Sequence, residues 1–253
     1  MSVITLGQRD AAYRHILDII LSGQISASQP ISERQLALDH GFGRTPVREA
    51  IHALARDGLV EIVPARGTFI RQLDTEQIRE LYEVRHVLEA KAVALAARNS
   101  NHAILSDARR NLEASRDQIE TDISQVYEIG ADFHVQMFRA ANNSVLYETY
   151  IPIRNRFRLA MSLGKYYDRD WVIAGIEEHL AILDAVEAGD VALARRRMGS
   201  HLRRSYASKR RIIERLSASG EQQPASRAND SKRQFIRPAD RKENKSHVST
   251  ESR

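Results

Sequence analysis

Apolar positions change their spacing in a readable order along roughly the first seventy residues. Tyr13, Ile16, Leu17 and Ile20 fall at i, i+3, i+4 and i+7, which predicts a helix over about 8–22, ended by Gly23. Ser32 opens a shorter helical stretch that carries Gln35, Leu36 and Leu38 and closes near Gly41. A third helix places Val47, Ala50, Ile51 and Leu54 on one face until Asp57-Gly58 breaks it. Leu59–Val63 and Thr68–Ile70 then form two short β-prone runs joined by Pro64-Ala65-Arg66-Gly67, the pattern of a hairpin.

From Asp74 onward the spacing is helical throughout. Six amphipathic segments are predicted near 74–99, 102–118, 123–141, 143–163, 170–188 and 190–216. Their breaks fall at Asn99-Ser100-Asn101, Asn142-Asn143, Gly164 and Gly189-Asp190. That much amphipathic helix can bury a core of its own. Beyond Leu216 the chain turns polar, with scattered charge and little apolar content, the composition of a disordered segment. The predicted fold class is therefore mostly α. Residues 1–72 form a winged helix-turn-helix domain, 73–216 an all-helical bundle of six or seven helices, and 217–253 a disordered basic tail.

Composition changes this picture little. With 42% hydrophobic and 28% charged residues over 253 positions, the chain is ordinary for a globular protein. It has no apolar run long enough to span a membrane and no signal-peptide core, so a cytoplasmic protein without membrane contact is expected. The absence of cysteine excludes disulfides and thiolate metal sites. The net charge of +5 is unevenly placed: +1 over residues 1–72, −4 over 73–202 and +8 over 203–253. Basicity thus sits at the C-terminal end, and a case for nucleic-acid binding must rest on particular residues.

Those residues are in GRTPVREAI, Gly43 to Ile51. Three helices followed by a hairpin make a winged helix-turn-helix, whose third helix enters the major groove. Here that helix is capped by Gly43 or Thr45 and carries Pro46 in its first turn, where a missing N–H costs nothing. Arg44, Arg48 and His52 recur at four-residue spacing away from the apolar face. Cations at a helix N-terminus oppose the helix dipole. An external anion or a guanine edge would compensate, since arginine bonds guanine or phosphate bidentately. The alternative is a pair of solvated arginines softened by Glu49.

The stretch SERQLALDHGFGRTPVREAIHALARDGLVEIVPARGTFI, residues 32–70, resembles the DNA-binding domain of the GntR superfamily of bacterial transcription regulators. The resemblance implies that Arg34 contacts DNA from the second helix. It implies that Arg44, Thr45 and Arg48 read base edges and backbone from the third, and that Arg66 and Gly67 place the wing tip near the minor groove. Gly43 stands where that family usually has a Ser or Thr cap.

In the helical body, ELYEVRHVLEA, FHVQMFRAANN and EEHLAILDAVEAGDVALARRRMGSHL are similar to the effector domain of the FadR-type branch, the FCD domain. That resemblance implies a bundle that binds a small carboxylate, in many members beside a divalent metal held by one Asp and three His. His134, His179 and His201 match the three histidine positions. Gly130 occupies the usual Asp position, and Asp132 points elsewhere on the helix. Three imidazoles can still hold zinc or nickel; without a metal they would line a polar pocket. Arg85 matches an arginine that faces the effector, with an ion pair to Glu83, Glu89 or a neighbouring helix as its alternative. Asn143 and Arg156 are further effector candidates. Arg154, Arg156 and Arg158 alternate, so they cannot all face inward. The cations of RRRMGSHLRRSYASKRRIIERL make a solvated face or a non-specific DNA contact.

The resemblance implies a homodimeric regulator, expected to be a repressor, that binds double-stranded operator DNA and responds to a small organic acid. One alternative is a constitutive or architectural dimeric DNA binder whose bundle only dimerises. An enzyme is disfavoured, because no general-base carboxylate accompanies the histidines.

Overall fold

A computed structural model describes residues 2–99, 102–162 and 169–218. The tail expected to be disordered and the break expected at Gly164 lie outside the described residues, apart from 217 and 218.

The N-terminal part is built from α1 (Ser2–Leu21), α2 (Glu33–Asp39), α3 (Arg44–Arg56) and an antiparallel hairpin of β1 (Val60–Val63) and β2 (Gly67–Ile70). The first helix begins earlier than its apolar spacing predicts. Ser32 caps α2 by accepting from the Gln35 N–H. Val47, Ala50, Ile51 and Leu54 of α3 are fully buried against Ile16 and Ile20 of α1 and Leu59 at the hairpin entry. Thr68 accepts a backbone bond from Ile31, so the segment before α2 extends the wing by one bridge. No spacing signal marks that bridge in the sequence.

Six helices follow: α4 (Thr75–Ala96), α5 (His102–Ser115), α6 (Ile123–Ala140), α7 (Ser144–Ser162), α8 (Arg169–Glu187) and α9 (Val191–Ala218). A 3-10 turn at Arg116–Gln118 ends α5. Asp74 and Gln77 form a capping box at α4, and Asp122 caps α6. The bundle core joins Val93, Leu112, Phe133, Met137, Leu183 and Met198. Phe138 of α6 stacks on Tyr150 of α7, with ring centroids 3.8 Å apart. Among the described residues, no helix is long and apolar enough to cross a membrane.

The helix α7 touches both parts. Its Leu159 is buried in the core of the winged part. Arg156 donates from Nε to the carbonyl of Asp57, at the C-terminus of α3. Asn155, also buried, hydrogen-bonds the Tyr13 hydroxyl, which itself donates to the Asp57 carboxylate. Gly58 lies against the same side chain: it has φ +75°, and a Cβ there would lie 2.7 Å from Arg156 Nε.

Candidate functional site

At the N-terminal face, the start of α3 has no side-chain cap. Gly43 is the N-cap, and Pro46 takes the third helical position, so the N–H that a Ser or Thr cap would usually engage does not exist. A Cβ at 43 would also sit 3.3 Å from the Pro46 ring. The backbone N–H groups of Arg44 and Thr45 therefore remain open, at the positive end of the helix dipole. Arg44, Thr45 and Arg48 are exposed beside them, and Arg34 projects from α2. Arg66 and Gly67 are exposed at the wing tip, where Ala65 has φ 60° and Gly67 φ 112°. Only glycine adopts the latter readily. Among the described residues no carboxylate lies within ion-pairing distance of Arg34, Arg44, Arg48 or Arg66. All four are exposed.

The second site lies inside the bundle. His134 from α6, His179 from α8 and His201 from α9 converge, with one ring nitrogen of each within 4.8 Å of the others. All three are buried. Carboxylates orient two of the rings. His134 Nδ1 lies 2.5 Å from Glu89 Oε2, and His201 Nδ1 lies 2.7 Å from Glu178 Oε2. With Nδ1 donating outward, Nε2 of each ring keeps its lone pair for the centre, the arrangement carboxylates impose on metal-binding imidazoles. His179 Nε2 is 3.2 Å from His201 Nε2, and its buried Nδ1 has no partner among the described residues. Burial pushes His134 down to about 4, against the pull of Glu89. Burial and the neighbouring histidines push His179 well below its usual value. Both rings are neutral at pH 7, the form that ligates a metal. Buried, neutral imidazoles with oriented lone pairs and one orphaned nitrogen fit a divalent ion.

The usual Asp position offers no ligand, and the His179 ring packs closely against it. A Cβ at Gly130 would sit 3.3 Å from the His179 ring. Asp132 is exposed and bonded to Gln136. Arg85 lines the same cavity and also makes the ion pair that was its alternative. It meets Glu89 Oε1 at 2.7 Å, hydrogen-bonds Tyr150 and lies 4.0 Å from the Phe157 ring centroid. Burial opposes the charge of Glu89, but Arg85 and His134 outweigh it and hold the carboxyl at about 2. Two effector candidates lie elsewhere. Asn143 is exposed and caps α7 by accepting from the Leu146 N–H, and Arg156 is occupied at Asp57. The cavity also takes Tyr150, missed in the sequence, and Arg154 and Arg158, the two alternating arginines not chosen as effector candidates; the three follow one another at four-residue spacing on α7. That spacing was the available signal. The empty space in the cavity, with open solvent at its mouth counted, is about 660 Å³.

The chain matches the family model of bacterial regulatory proteins of the gntR family over residues 8–70 and that of the FCD domain over 80–204. It is 33% identical over 186 residues to the probable D-xylose utilization operon transcriptional repressor of Paenarthrobacter nicotinovorans, covering 72% of this chain and 80% of that protein. It is 26% identical over 204 residues to the HTH-type transcriptional repressor RspR of Escherichia coli, covering 79% and 88%. Escherichia coli McbR/YncC shares the fold, with a TM-score of 0.68 at 22% identity over 86% of this chain and all of that one.

Proposed function

The chain belongs to the gntR family of bacterial regulatory proteins with an FCD domain, a transcriptional regulator and not an enzyme, and on that premise we propose that it is a homodimeric repressor released or retained by a small organic acid. The observation that carries this reading is the double role of α7. One face of the helix supplies Tyr150, Arg154, Phe157 and Arg158 to the cavity, and another supplies Asn155, Arg156 and Leu159 to the winged domain. A ligand that shifts or stiffens α7 acts on the C-terminus of α3 through one continuous helix. Coupling then needs only that the acid bind two positions of α7 with different affinity. By linkage, operator DNA changes acid affinity by the same factor.

His134, His179 and His201 would hold a divalent metal, with Glu89 and Glu178 fixing two of the rings. A bound ion supplies a cationic anchor for a carboxylate. On the DNA side, Arg44, Thr45 and Arg48 with the open N–H groups of α3 would meet one major groove per protomer, with Arg34 on the backbone and Arg66 and Gly67 at the minor groove. Two such modules suit a pseudo-palindromic site.

The test is operator affinity, followed by fluorescence anisotropy on DNA from the region upstream of the protein's own gene, with and without divalent zinc or nickel and a series of small acids. A shift of about tenfold with one acid is expected. Sequence-specific binding that no acid or metal alters would favour the constitutive DNA binder instead.

A further inference from the structure

We propose that the effector carries two anionic groups, the second read by Arg154 and Arg158 in the same cavity. This rests on the acid-sensing reading above and narrows it to diacids.

The cavity is lined by the three histidines and Arg85, whose side chain is 3% exposed. Arg85 adds little uncompensated charge, because Glu89 and Tyr150 already occupy it. Two further cations line the cavity and are more exposed than Arg85. Arg154 and Arg158 lie one helical turn apart on the pocket face of α7, with side chains 18% and 23% exposed. The Nε of each is buried without a hydrogen-bond partner among the described residues, and so is Nε1 of Trp171 on the facing helix α8. Three buried donors without an acceptor carry a desolvation cost that an anion would remove.

The carboxylates near these arginines do not fill that role. Glu128 reaches Arg158 Nη2 at 2.8 Å and is 45% exposed; Asp132 is 3.7 Å from Arg154 Nη2 and 54% exposed. Both engage terminal nitrogens, and half-exposed pairs of this kind contribute little. Burial and the neighbouring Arg158 charge also lower the pKa of Arg154, consistent with a cation lacking a close counter-charge. Val126, Val172, Ile176 and Phe157 add apolar lining to the same cavity. A buried polar group of histidines and Arg85, apolar lining and a second, more exposed pair of cations match an acid with a carbon spacer and a second acid group.

The experiment is calorimetric titration of metal-replete full-length protein with length-matched pairs: butyrate and succinate, valerate and glutarate, gluconate and glucarate. In at least one pair the diacid should bind about tenfold more tightly, the value of one charged hydrogen-bonded contact. That ratio should collapse in Arg154→Gln/Arg158→Gln, checked for folding by circular dichroism. Arg154→Gln alone, which spares the Glu128 pair, serves if the double variant does not fold. Monoacids binding as tightly as their diacid partners in every pair would overturn the proposal and leave acid sensing intact, as would a diacid preference that survives the substitutions. Binding of neither series would overturn both.

Discussion

Glu89 is the residue on which both halves of the bundle site depend. It is 1% exposed, yet ionised, because Arg85 holds one oxygen and His134 the other. Removing one member of a buried charge pair costs more than the pair contributed, since the remaining charge is left unpaired. Glu89→Gln keeps the shape and removes the charge. It is expected to destabilise the fold by about 3 kcal/mol in urea denaturation and to weaken zinc uptake about tenfold through the loosened His134 ring. Lys209 presents the opposite case. It is buried with its ammonium 4.7 Å from the Trp171 ring centroid, and burial pushes it down to about 8. Its folded pKa lies below its unfolded one, so folding is penalised while both states are protonated, below pH 8. The penalty fades as pH rises from 8 toward the unfolded value. Lys209→Met should therefore raise stability by roughly 2 kcal/mol at pH 7, offset in part by the lost cation–π contact, with the gain shrinking above pH 8. The sequence carries no sign of either effect. A lysine in a cation-rich run and an i, i+4 Arg85–Glu89 pair look like solvated helix surface until the packing partners are known.

At the level of elements, the amphipathic spacing located nearly every helix within a few residues, because each helix buries a continuous apolar stripe. What spacing leaves open is which polar face meets which neighbour. Arg154, Arg156 and Arg158 alternate on α7, so the sequence says only that they diverge. The structure turns 154 and 158 into the cavity and 156 toward the winged domain. The histidines illustrate the same limit: their places on three helices were legible, while their convergence depends on crossings that no spacing encodes. The position of Arg156 leads to a prediction about coupling. Arg156→Ala removes the bond to the Asp57 carbonyl and leaves the cavity residues untouched. Acid binding by calorimetry should persist, while the acid-dependent change in operator affinity falls by about 1 kcal/mol of coupling energy. An unchanged response would mean that the two domains communicate through another element.

For the whole molecule, net charge is a poor guide to where DNA binds. The winged domain carries only +1, and most of the surplus lies beyond residue 202. On the reading proposed above, affinity for DNA instead follows exposed cations with no carboxylate partner among the described residues, of which the winged domain has four in Arg34, Arg44, Arg48 and Arg66. If every one neutralised a phosphate in a dimer, log K against log salt would have a slope of about −7. Arg48 stands one turn inside α3, farther from the open N–H groups than Arg44, where a major-groove helix reaches base edges. Arg48→Ala should therefore cost sequence discrimination, about 2 kcal/mol per half-site between operator and scrambled duplex, and leave the slope nearly unchanged. Arg34→Ala should do the reverse, weakening both duplexes alike and reducing the slope by about 1 per protomer. Measuring both variants on both duplexes from 50 to about 200 mM salt separates a base reader from a backbone clamp. A loss of slope in Arg48→Ala with discrimination preserved would assign that guanidinium to phosphate and move the reading of sequence to Arg44 and Thr45.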